Sequence, residues 1–372
     1  MHIQYFKYYL TICIFSVFTT AEGAKISLKD ENIKIKQDTT EFQIKARIMW
    51  DYDTFSGLYD DGESGNDSEL RQTRLTLKSK LDKNLQTKFQ IDFEQDSSAT
   101  TDVADAYIKY TGWKYLDVTV GRAKEPFGLE RLGSSKYNML IERSMASSAF
   151  APGRNAGIGL SGNNKKMIWT VGIYDISDTE QQNAITGRLT YKLWSTFHLG
   201  IAGSIRDLDG EKYKLKQRAE VHTADKIVKS SKTVADKVNL LGLEAAWLKN
   251  SFLIQAEYIL ATIKSKTEEN VNYAGYYLQG SYFLTGNAYS YKDGRFGKPN
   301  VKSGSYELAT RYSVLDAQDN DSGNKATNIT FGINYYMNKQ VRIMVNYIHT
   351  QLKEDGSDEN GNAVSFRMQY IF

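Results

Sequence analysis

Cysteine, proline and histidine are scarce in this 372-residue chain, which has one, three and four of them. The lone cysteine, Cys13, lies in the first twenty residues. If those are removed, no thiol remains for a disulfide, a thiolate metal site or a nucleophile. Beyond the N-terminus the histidines are His198, His222 and His349, each isolated from any serine or cysteine motif, and neither Gly-x-Ser-x-Gly nor His-Glu-x-x-His occurs. An enzyme would have to bring His349 to Ser313 or Asp316 from neighbouring strands, and no cofactor motif is present. An excess of one charge is also missing. The 47 Lys and Arg face 44 Asp and Glu, a net charge of +3, which excludes a polybasic nucleic-acid binder by bulk charge. After the N-terminus no apolar run is long enough for a membrane-spanning helix. Tyrosine, in contrast, is abundant, with 25 residues. Many tyrosines, little proline and no cysteine fit either a soluble all-β protein or an outer-membrane β-barrel.

Lys7 precedes an apolar stretch from Tyr8 to Phe18, and Thr19, Thr20 and residues 21–24 supply small side chains where a signal peptidase cuts. Residues 1–23 are therefore expected to be a signal peptide cleaved after Gly23. A lipoprotein signal at Cys13 is disfavoured by the bulky Ile12 before it. Residues 24–40 are expected as a short periplasmic segment, in which Ile26, Leu28, Ile33 and Ile35 alternate with polar residues as in a small hairpin. Residues 41–372 form the main domain.

In that domain Phe42, Ile44, Ala46, Ile48, Trp50 and Tyr52 interleave with Gln43, Lys45, Arg47, Met49 and Asp51. This is the period of two of a strand with one apolar and one polar face. The same alternation recurs over 85–95 and closes the chain at Val364, Phe366, Met368, Tyr370 and Phe372. It predicts sixteen strands, near 41–52, 69–81, 84–95, 103–111, 115–122, 154–162, 166–175, 183–193, 196–206, 238–249, 251–264, 271–284, 303–315, 325–337, 340–351 and 362–372. Short turns such as Asp82-Lys83 and Asn338-Lys339 alternate with longer polar loops such as 53–68 and 352–361. Alternating short and long connections favour a sixteen-stranded antiparallel transmembrane β-barrel of outer-membrane type over a soluble sandwich.

The run Gly121-Arg122-Ala123-Lys124-Glu125-Pro126-Phe127-Gly128, continuing through Ser134-Ser135-Lys136-Tyr137, Ile141-Glu142-Arg143-Ser144 and Ala151-Pro152-Gly153-Arg154-Asn155, resembles the third-loop region of the phosphate-selective porin O and P family. Further similar blocks follow in the family's order at 239–244 with 255–258, 275–286, 307–313 and 332–347. The resemblance implies a sixteen-stranded homotrimeric porin in the outer membrane of a Gram-negative bacterium. Such a porin would be a water-filled channel for small anions, among them phosphate or polyphosphate. An unselective small-solute porin and a structural or receptor barrel stay open as alternatives.

If Phe42 to Tyr52 face lipid, Lys45 and Arg47 point inward, and Leu75, Leu77 and Leu81 outward likewise put Arg74, Lys78 and Lys80 inside. Lys88 with Asp92 and Glu94, and Asp105 with Lys109, could either pair across strands or line the pore. Residues 124–150 have no sustained alternation. They are expected to fold into the lumen with Lys124, Lys136 and Arg143 lining it, held by Glu130 and Glu142. Within 207–237, Lys212, Lys214, Lys216 and Arg218 recur at spacing two. The resemblance makes Lys214, Lys216 and Arg218 the counterpart of an arginine ladder on a loop that dips into the pore. Lysine lacks the planar fork of arginine, which loosens oxyanion geometry. The connection 285–302 is long for its rim. It is expected to fold inward, burying Tyr289, Tyr291 and Phe296 and aiming Lys292, Arg295, Lys298 and Lys302 at the pore axis. Acidic residues crowd the outer loops, Asp60, Asp61, Glu63, Asp67 and Glu69 in the first and Glu354, Asp355, Asp358 and Glu359 in the last. They are expected to bind divalent cations that bridge to anionic lipopolysaccharide.

Overall fold

The computed structural model describes residues 25–29, 32–59, 63–93, 101–164, 166–177, 182–194, 196–319, 322–354 and 356–372; the expected signal peptide lies outside them. Two short strands, β1 (Lys25–Lys29) and β2 (Asn32–Gln37), make a hairpin ahead of the barrel. The barrel begins with β3 (Thr40–Gly57), β4 (Ser64–Lys80), β5 (Leu85–Phe93), β6 (Thr101–Tyr110), β7 (Asp117–Lys124), β8 (Arg154–Asn163), β9 (Met167–Asp175) and β10 (Asn183–Leu193). After β11 (Phe197–Tyr213) a two-residue ladder, β12 (Lys216–Gln217) with β13 (Val228–Lys229), lies in the loop that leads to β14 (Thr233–Lys249). β15 (Phe252–Lys264) and β16 (Val271–Phe283) follow, then a hairpin of β17 (Tyr289–Lys292) and β18 (Arg295–Pro299). β19 (Ser305–Asp316), β20 (Asn324–Tyr336), β21 (Val341–Glu354) and β22 (Ser357–Ile371) complete sixteen barrel strands.

All barrel neighbours are antiparallel, and β22 returns to β3 with Phe366 opposite Tyr52 and Met368 opposite Trp50. Ala46 and Phe372 exchange backbone hydrogen bonds of 2.8 and 2.9 Å, so the last residue is paired. Beyond Phe372 the edge of β3 is taken up by β2, with Ile33 opposite Ile44, and closure leaves no open strand there. On the tight-turn rim, Asp82 Oδ1 accepts from the amides of Asn84 and Leu85, and Asn338 Oδ1 from those of Gln340 and Val341. These turns are set by the side chains that favour them.

Outward positions are apolar and exposed, as at Ile48, Val171, Ile173, Leu199, Ile201, Leu278, Phe331 and Ile333. Aromatic rings border this band. Tyr258, Tyr276 and Tyr312 form one row, and Trp194, Phe197, Trp247, Phe252 and Tyr282 lie nearer the tight turns. Phe252 and Tyr258 are six residues apart on one strand, about 20 Å at ~3.3 Å per residue, which fits an apolar band ~25 Å tall with an aromatic girdle at each interface.

All sixteen expected strands occur, but several run further toward the long-loop rim. β3 extends to Gly57 and β22 starts at Ser357, so the polar stretches expected as loops at 53–68 and 352–361 are largely strand. Above the bilayer both strand faces meet water. The hydrophobic alternation disappears there while the hydrogen-bonded ladder continues.

Candidate functional site

Three inserts enter the barrel. The third loop carries α1 (Leu129–Leu132), a single 3-10 turn (Ser135–Tyr137) and α2 (Met145–Phe150). Its Phe127, Met145 and Phe150 pack with Val238, Leu240, Ile259 and Leu315, and its Met139 and Leu140 pack with Leu253 and Phe283. Those partners lie on β14, β15, β16 and β19. The loop after β11 adds Ala219, Val221 and Ala224 to the same core. The β17–β18 hairpin adds Tyr289, whose hydroxyl donates to Glu307 at 2.7 Å.

The polar inner residues of this side are matched as well. Arg311 pairs with Glu130 of the third loop at 2.9 Å and with Glu220 of the later loop at 3.0 Å. Arg367 forks onto Asp51 at 2.7 and 2.6 Å, reaches Glu142 at 2.8 Å and donates to the Ile141 carbonyl at 2.6 Å. Arg71 pairs with Glu142 at 2.9 Å. Burial alone would raise the Glu142 carboxyl, but Arg71 and Arg367 outweigh it and hold the group below the usual carboxylate range. Glu130 and Glu142 therefore brace wall arginines. Their carboxylates do not hold Lys124 or Arg143 as expected: Lys124 ends on the carbonyls of Arg131 and Gly133, and Arg143 on those of Glu130 and Gly133.

A cavity of 540 Å³ remains along β3 to β9. Its cations are Lys45 and Arg47 of β3, Arg74 and Lys78 of β4, and Lys88, Lys109, Lys124 and Arg154 of β5 to β8. The third loop adds Arg131, Lys136 and Arg143, and the hairpin adds Arg295. Against these twelve, Asp105 is the one carboxylate in the lining, and among the described residues no side chain of β10 to β16 or β19 to β22 reaches it. Gly121, Gly157, Gly159 and Ser161 form a low floor that leaves room for water and solute.

The cations are positioned in two ways. Arg74 is forked onto Asp92, and Asp105 sits between Lys88 at 2.6 Å and Arg154 at 3.0 Å. Lys124 instead donates to the carbonyls of Arg131 and Gly133 at 2.5 and 2.8 Å, Arg143 to those of Glu130 and Gly133, and Arg131 to that of Pro152. Carbonyl bonds orient these side chains without supplying a counter-charge. Arg47 is 6% exposed and its Nε has no acceptor among the described residues. Burial, followed by neighbouring Arg143 and Arg154, pushes Arg131 down to about 10, still cationic at neutral pH.

Eight of the fourteen expected cations share this cavity: Lys45, Arg47, Arg74, Lys78, Lys124, Lys136, Arg143 and Arg295. Lys298 lies beside it in a smaller recess with Lys136 and Arg342. Lys214, Lys216, Lys292 and Lys302 are exposed away from the cavity, and Arg218 donates to the Ala224 carbonyl at 2.8 Å. The loop after β11 does turn inward, but it does so through Glu220 and not through its cations. Arg131 and Arg154 were not expected in the lining. Arg131 lies in a four-residue helix without usable periodicity, and Arg154 is out of phase with the inward Gly157, Gly159 and Ser161 of its strand. His349 shares the outward phase of Val345 and Tyr347, whereas Ser313 shares the inward phase of Arg311, so that pair is on opposite faces.

A wall that is apolar outside and narrowed inside by a folded-in loop belongs to the outer-membrane porins. The same fold occurs in OmpT, an outer membrane protein of Vibrio cholerae, at 10% identity and a TM-score of 0.64, covering 91% of this chain and 99% of that one. It occurs again in an anion-selective porin from Comamonas acidovorans, at 12% identity and a TM-score of 0.60, covering 90% and 100%. Porin O of Pseudomonas aeruginosa is 25% identical over 422 residues, which cover 96% of this chain and 95% of that protein. A family model for phosphate-selective porin O and P matches residues 42–372, and the chain belongs to this family. It is a porin of the Gram-negative outer membrane.

Proposed function

We propose that the cavity along β3 to β9 is the selective part of a water-filled channel for passive diffusion of small anions, with phosphate and polyphosphate as preferred solutes. The observation that carries this reading is the lining itself, twelve cations with a single carboxylate. At an effective dielectric of about 20, each unneutralised unit charge about 8 Å away contributes roughly 2 kcal/mol, and about 1.4 kcal/mol is tenfold in occupancy. Several such charges favour anions and repel cations. Arg47 offers a buried donor without an acceptor, and Arg131 and Arg143 offer planar forks that match tetrahedral oxyanions. No direct contact with a permeating anion is assigned to Lys214, Lys216, Arg218, Lys292 or Lys302.

The channel works without catalysis, as a homotrimer; a trimer form is known of the similar OmpT. Acidic side chains of its outer loops attract divalent cations that bridge to lipopolysaccharide, although the described residues gather no group of three metal-binding side chains. Planar-bilayer recordings under a potassium chloride gradient test the reading. The zero-current potential is expected on the chloride side, and added phosphate should lower the chloride current at concentrations that leave ionic strength almost unchanged. A potential on the potassium side contradicts it.

A further inference from the structure

Arg188 of β10 faces inward, is buried and does not line the cavity. Its partner, Glu244, lies two strands away on β14, directly opposite Gly200 of the intervening β11. A Cβ at Gly200 would stand 2.6 Å from Glu244 Oε2. Glycine at that position lets the carboxylate fold across β11 and take the Arg188 fork at 2.8 and 2.6 Å. The same guanidinium donates to the carbonyl of Gly294, in the tip of the β17–β18 hairpin, at 2.8 Å. His198 completes the group, with Nε2 3.1 Å from Glu244 and Nδ1 2.7 Å from the Tyr291 hydroxyl. The hairpin is thus tied to the wall at its turn and on the strand that enters it, and the next residue after Gly294 is Arg295, which lines the cavity.

We infer that Arg188, with Glu244 and His198, is a positioning group that docks the hairpin tip and so sets Arg295 in the wall of the anion path. A fully neutralised arginine that never meets the solute then still governs selectivity. The inference rests on the proposed role of the cavity cations. It also gives Gly200 a reason that backbone conformation does not supply, since the missing side chain is the gap through which Glu244 reaches Arg188.

The test uses R188M/E244Q, which removes both buried charges together and avoids leaving one uncompensated. G200A serves as a second variant, displacing the carboxylate without altering any charge. The zero-current potential is recorded for R295Q, for R188M/E244Q and for the triple variant. R295Q and R188M/E244Q should each reduce anion preference, and the triple variant should match either alone, because the latch acts through Arg295. A wild-type potential in R188M/E244Q and G200A, or full additivity with R295Q, overturns the inference. A second readout is independent of selectivity. Apart from Cys13 the chain has no cysteine, so R295C can be probed with a negatively charged thiosulfonate. A stepwise change in current is expected with the latch intact and its loss without the latch; equal labelling in both backgrounds overturns the positioning role. If labelling depends on the latch while R295Q leaves the potential unchanged, the positioning stands and the selectivity reading fails.

Discussion

The inner wall has two unlike halves. Along β10 to β22 most inward arginines end on carboxylates, as Arg188 does on Glu244, Arg311 on Glu130 and Glu220, and Arg367 on Asp51 and Glu142, whereas Arg342 ends on the carbonyls of Lys136 and Asn138. Three inserts cover them with apolar side chains. Along β3 to β9 the cations of the third loop end on backbone carbonyls, and the wall opposite is low and wet. The same residue type is neutralised where a carboxylate lies in reach, as Arg74 is by Asp92 even on the open side, and field-producing where it meets only carbonyls, so the nearest acceptor decides which. Counting basic inward residues around the barrel would therefore misjudge the charge that a solute meets.

The largest effect should come from breaking the covered half. R367M leaves Asp51 and Glu142 buried with a lost partner, a loss expected at about 3–5 kcal/mol. Urea unfolding followed by heat-modifiable gel mobility should show a lower midpoint, and bilayer recordings a noisier pore as the third loop loosens. R367M/D51N should recover part of the loss. A wild-type midpoint in R367M would remove the distinction between the halves.

Acid should act on the same knot, more weakly. The Glu142 carboxyl is held below its ordinary value, so its contribution is complete above the usual carboxylate range near pH ~4.3 and is lost as the pH falls through its folded value. Unfolding midpoints should decline on acidification below that range, and E142Q should lower the neutral-pH midpoint while flattening the decline. An undiminished slope in E142Q would show that other carboxylates carry it.

The smallest effect is expected from the outer ladder. Neutralising Lys214, Lys216 and Arg218 to glutamine should leave the zero-current potential near wild type at physiological salt, since none of them lines the cavity and salt screens charges over a Debye length of about 8 Å. A shift as large as that from cavity residues would move the selective site outward.

Much of this division was legible in the sequence, though unevenly. Period two put Lys45, Arg47, Arg74 and Lys78 inward, and the absence of alternation after Lys124 marked the third loop. The covered half also left a trace that the strand count passes over. Leu240 and Leu241, and Leu253 and Ile254, place apolar side chains on both faces of one strand, as lipid outside and packing inside require. Which acceptor each arginine would meet was not legible. Arg311 finds Glu130 and Glu220 across about a hundred residues or more of chain, and no local pattern records such a pairing. The cations of 214–218 stood out by spacing, yet tertiary packing turned Glu220 inward in their place.

If anion preference resides in the open wall, the zero-current potential of a variant with Arg47, Lys124 and Arg143 changed to glutamine reads it out. A marked shift toward the value of an unselective pore is expected, with the folded barrel and its conductance retained. A potential identical to wild type would contradict it.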